Sequence, residues 1–74
     1  MSTHKVTDHS IGNDQRSIHI LNRETGQRYQ IQTYKFQGRR SIVLSANASV
    51  IVIGYEDIEE LIDQMELAKE LLEQ

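Results

Sequence analysis

The chain contains no cysteine, so neither a disulfide framework nor a thiolate zinc site can staple it. At 74 residues it makes one domain at most, and a domain this small buries too little of its surface to be comfortably stable alone. Association with itself is the remaining route to stability, and a homodimer or higher oligomer is expected. The missing thiols also fit a reducing compartment. No apolar run approaches the roughly 20 residues that cross a bilayer, and Met1 to Gln15 holds no apolar block resembling a secretory signal. The expectation is a soluble, cytoplasmic protein with no membrane partner.

Signatures of chemistry are also missing. There is no G-x-S-x-G elbow, no G-x-x-x-x-G-K-[ST] phosphate loop and no H-E-x-x-H pair, and no cysteine to act as nucleophile. The histidines do not promise a metal centre: His4 and His9 lie in a polar N-terminal segment, and His19 alternates with isoleucines so as to face outward. No cofactor is expected, and the chain reads as a binding protein rather than an enzyme.

Charge is present but divided. Residues 1–54 carry the cations Lys5, Arg16, Arg23, Arg28, Lys35, Arg39 and Arg40 against Asp8, Asp14 and Glu24, whereas in the last twenty Lys69 stands against eight carboxylates between Glu56 and Glu73. A net charge of −3 therefore conceals a basic body and an acidic tail, an asymmetry that marks interaction surfaces.

The hydrophobic pattern supplies the fold class. Residues 1–15 are polar and without period beyond Val6 and Ile11, and read as a flexible arm preceding a single α+β domain over residues 16–74. Ile18 and Ile20 alternate with Ser17, His19 and Leu21, "NRETGQ" puts Gly26 where a hairpin loop needs a positive φ, and "RYQIQTYKFQ" continues as a second strand closed by a tight turn at Gly38. In that strand Tyr29 and Ile31 have one parity and Tyr34 and Phe36 the other. Either a bulge near Thr33 gathers all four on one face, or the strand offers apolar groups to both sides. "SIVLS" and "VIVIG" are apolar at consecutive positions and require cover on both faces; "ANAS" between them makes a third hairpin. From Tyr55 the period becomes 3.6, with Ile58, Leu61, Ile62, Met65, Ala68 and Leu72 on one stripe and four carboxylates crowding the first turn. The expected architecture is a four-stranded antiparallel meander of hairpins followed by one amphipathic C-terminal helix, β-β-β-β-α. One helix covers one sheet face, so dimerisation is expected to cover the other.

Two sets of residues stand out as candidate contacts. Tyr34, Lys35, Phe36, Arg39 and Arg40 surround the Gly38 turn, with Arg28 from the same strand, and rings interleaved with cations suit an anionic ligand, single-stranded nucleic acid or a nucleotide, by stacking on bases and neutralising phosphates. Leu67 and Leu71 lie four residues apart and outside the main helical stripe, as an oligomer or partner contact would. The rival to ligand binding is therefore a protein target. In that reading the acidic helix occupies a basic site on another protein, in the manner of small inhibitors from phages and other mobile elements.

The order of strands and acidic helix is similar to that of the coactivator-type single-stranded-DNA-binding dimers. This is an architectural likeness that assigns no residue a role.

Overall fold

A computed structural model describes residues 2–12 and 14–74 of the chain. The alternating segments form strands β1 (His4–Asp8), β2 (Ser17–Asn22), β3 (Arg28–Phe36), β4 (Arg39–Ala46) and β5 (Ser49–Gly54), followed by a 3-10 turn (Tyr55–Asp57) and helix α1 (Ile58–Leu72). Every strand pairs antiparallel with the next, in the order β1-β2-β3-β4-β5. The fold is α+β, a hairpin meander and one helix. The expected strand count is corrected from four to five.

The additional strand lies inside the segment expected to be an arm. Val6 is its only aliphatic side chain, and it faces Ile20 across the ladder. Polar ties do the rest. The Asp8 carboxylate accepts from Ser10 N at 2.8 Å and from Arg16 Nη1 at 3.1 Å, His9 N donates to the Ser17 carbonyl at 2.7 Å, and Ser17 N donates to Ser10 Oγ at 3.1 Å. Backbone groups of the long β1–β2 connection thus find partners that its apolar content could not predict. The Ser10 hydrogen bonds, with the Arg16 charge behind them, hold the Asp8 carboxyl below its usual 3.8.

The other turns follow from local chemistry. Asn22 Oδ1 accepts from the backbone of Glu24 and Thr25 at 3.0 and 3.2 Å, and Gly26 supplies the positive φ of 76° that ends the β2–β3 loop. Between β3 and β4, Gln37 (φ 50°) and Gly38 (φ 77°) are both left-handed, the geometry of a two-residue turn whose twist matches the strands. Gly38 adopts it freely, whereas Gln37 pays a steric penalty that asparagine largely avoids.

β3 and β4 stay in register without interruption from Tyr29 opposite Ala46 to Phe36 opposite Arg39. There is accordingly no bulge at Thr33, and the second of the two expected geometries holds. One sheet face carries Val6, Ile18, Ile20, Tyr29, Ile31, Ile42, Leu44, Ile51 and Ile53 across all five strands. The opposite face is polar except for Leu21 and, toward β5, Tyr34, Phe36, Val43, Val50 and Val52.

Among the described residues none closes over the apolar face. Among the described residues none is fully buried. Ile58 at the start of α1 lines a hollow with Thr33 and Ile42, and every later helical residue is exposed. The accessible surface is 6586 Å², against about 4,700 Å² for a compact monomer of this mass. The radius of gyration is 14.1 Å, against about 11 Å for a compact chain of this length. Among the described residues no helix is long and apolar enough to cross a membrane.

Two outcomes follow from the turns and ties. Gln37→Asn should stabilise the fold by about 0.5–1 kcal/mol, raising Tm by roughly 3–6 °C; a lower Tm would show that the glutamine is not strained. The depressed Asp8 carboxyl stabilises the folded state above its unfolded pKa, and that contribution disappears as pH falls through the lower folded value. Wild type should therefore melt above Asp8→Asn near neutral pH, with the gap closing as pH falls below the ordinary carboxyl value of 3.8. A gap that is constant with pH would assign the stabilisation to something other than the charge.

Candidate functional site

The six candidate residues divide between the faces because strand parity alternates, and Arg28 stands at the opposite end of β3 from the Gly38 turn. Arg28, Tyr34, Phe36 and Arg39 project from the polar face, Phe36 directly opposite Arg39 and Tyr34 opposite Ser41. Lys35 and Arg40 face each other on the apolar side. There the Arg40 guanidinium lies 3.7 Å from the centroid of the Tyr55 ring, so its position is fixed by a cation–π contact at the junction of sheet and helix.

On the polar face Tyr34 and Phe36 are 53% and 56% exposed, with ring centroids 6.3 Å apart and planes tilted by 36°. They form one wall of a groove floored by Val43 and Val52 and ended by Arg39 and Ser41. Aromatic side chains standing this far out of a sheet are free to stack on a planar ligand. Gln30 and Gln32 occupy the same face of β3 between the rings and Arg28 and carry amide donors and acceptors, of which Gln30 Nε2 donates to Ser17 Oγ at 3.4 Å.

Sequence reasoning missed the outer half of this face. Lys5 stands opposite Leu21, and with Thr7, His9, His19 and Arg28 it lines a shallow hollow over β1, β2 and β3. The His9 and His19 rings meet edge to face with centroids 4.6 Å apart. The available signal was the alternation of Lys5 and Thr7 around Val6, which is weak when only one of the residues is apolar. Among the described residues no three His, Asp or Glu side chains converge as metal ligands would.

The charge on this face is one-sided. Among the described strand residues it carries Lys5, Arg28 and Arg39, with the His19 ring among them, and no Asp or Glu. Glu56 approaches its end, with Oε2 3.3 Å from where a Cβ on Gly54 would stand. Leu67 and Leu71 are exposed on α1, on the side of the helix away from the Ile58, Leu61, Ile62 and Met65 stripe by the 100° step. No known family matches the chain, and comparison with curated proteins and with solved structures likewise returns no match.

Proposed function

We propose that the protein is a non-enzymatic homodimer that binds single-stranded nucleic acid on the polar face of its sheet. One observation carries the reading: in a chain with eleven acidic side chains and a net charge of −3, the strands direct four basic or histidine side chains and no carboxylate to the face that also bears two exposed rings. That segregation creates a local positive field within an acidic molecule. Cations in such an array neutralise phosphates, and stacking on Tyr34 and Phe36 contributes about 1–3 kcal/mol per base.

The geometry favours a strand over a duplex and over a single nucleotide. Stacking needs bases already out of a helix, which single strands provide. From Arg28 to Phe36 the face runs about 27 Å along β3 at roughly 3.4 Å per residue, too far for one nucleotide to engage both ends. Dimerisation is supported by the uncovered apolar face opposite, and two copies present two such tracks.

The test is titration of a fluorescent oligothymidylate at low and moderate salt. Wild type should bind, more weakly as salt rises. Tyr34→Ala with Phe36→Ala should weaken binding tenfold or more, at about 1–3 kcal/mol for each lost stacking partner. Arg39→Ser should lower the salt slope by about one, and Arg40→Ser should leave it unchanged because Arg40 is on the other face. Absence of binding at low salt, or equal losses from Arg39→Ser and Arg40→Ser, contradicts the reading and favours a protein target for the acidic helix with Leu67 and Leu71.

A further inference from the structure

Resting on the homodimer reading, we infer that the two copies exchange helices: α1 of each lies across the apolar sheet face of the other. The chain holds two apolar surfaces that its own fold keeps apart. One is the face bearing Ile18, Ile20, Ile31, Ile42, Leu44 and Ile53. The other is the helical stripe, where Leu61, Ile62 and Met65 are exposed and Leu72 is 85% exposed. The 3-10 turn carries α1 away from the sheet: Ile58 shares a hollow with Thr33 and Ile42, and every later residue of α1 is exposed.

Two copies related by a twofold axis satisfy both surfaces in one closed operation, with no remainder left to propagate. The dimensions agree. α1 has 15 residues, or about 22 Å at 1.5 Å each, and five strands about 4.8 Å apart span about 19 Å centre to centre. The area agrees as well: each chain exposes about 1,900 Å² more than a compact monomer of its mass, which falls within the range per partner of obligate homodimers.

Charge adds direction. Lys35 and Arg40 sit at the end of the apolar face, and Glu59, Glu66 and Glu73 flank the stripe on one side by the 100° step. A partner helix laid across the sheet brings opposite charges together there. The acid on the same face, Asp8, is engaged by Arg16 at 3.1 Å.

Absence of native cysteine makes a single introduced thiol specific. A spin label on Gln64→Cys, beside the stripe rather than in it, is placed on chains without isotope label; these are unfolded and refolded together with isotope-labelled wild type. Signal loss in the labelled copy is then intermolecular. Exchange predicts several-fold attenuation of amide signals at Ile18, Ile31 and Leu44. Attenuation confined to α1 would mean that the helices pair with one another, and attenuation of the sheet only when label and isotope share a chain would mean that α1 folds back on its own sheet. Either result overturns exchange. Light scattering on wild type separates the two levels: twice the chain mass of 8.6 kDa with attenuation confined to α1 rejects exchange alone, whereas the single-chain mass rejects the homodimer reading with it.

Discussion

The uncovered apolar sheet face is the constraint on which the other features turn. Nine aliphatic or aromatic side chains from five strands lie on one side of the sheet, and water contact with such a surface costs about 25 cal/mol per Å² relative to burial. A hairpin meander satisfies its backbone hydrogen bonds within the sheet, but it supplies no second layer. The one element able to provide a layer, α1, is held at a distance by its connection. With no cysteine to staple the chain, stability has to come from what covers this face.

Committing one face to cover leaves the other free for a ligand. Antiparallel sheets tolerate solvent on one side, and here that side carries Lys5, His19, Arg28 and Arg39 with Tyr34 and Phe36. Apart from Asp8, which lies on the apolar face of β1 and is paired with Arg16, the acidic residues lie in loops, the 3-10 turn and the helix segment. In the proposed reading that segregation separates two tasks: among the described strand residues no carboxylate shares the face of Arg28 and Arg39, and the helix carboxylates would be left for Lys35 and Arg40 on the other side.

How much of this was legible in the sequence depended on how local the physics is. The helix start was clear, because carboxylates in the first turn and a 3.6-residue stripe are local signals, and the turns at Gly26 and Gly38 follow from backbone φ alone. β1 was not legible. It has Val6 and little else to bury, and it is held by Asp8, Ser10 and Arg16 contacts that depend on neighbours across the chain. The candidate site was half legible: its residue types were evident, but the parity that separates Lys35 and Arg40 from Arg39 and Phe36 required knowing that no bulge interrupts β3. Lys5 joined the site only once β1 was in place.

The central claim, that folding of this chain is completed by a second copy, is most directly tested by the concentration dependence of thermal unfolding. When association and folding are coupled, the transition obeys mass action and Tm rises with protein concentration. The account predicts a rise of several degrees across a hundredfold concentration range. A cooperative transition whose Tm does not move over that range, in a species with the mass of one chain, would contradict it.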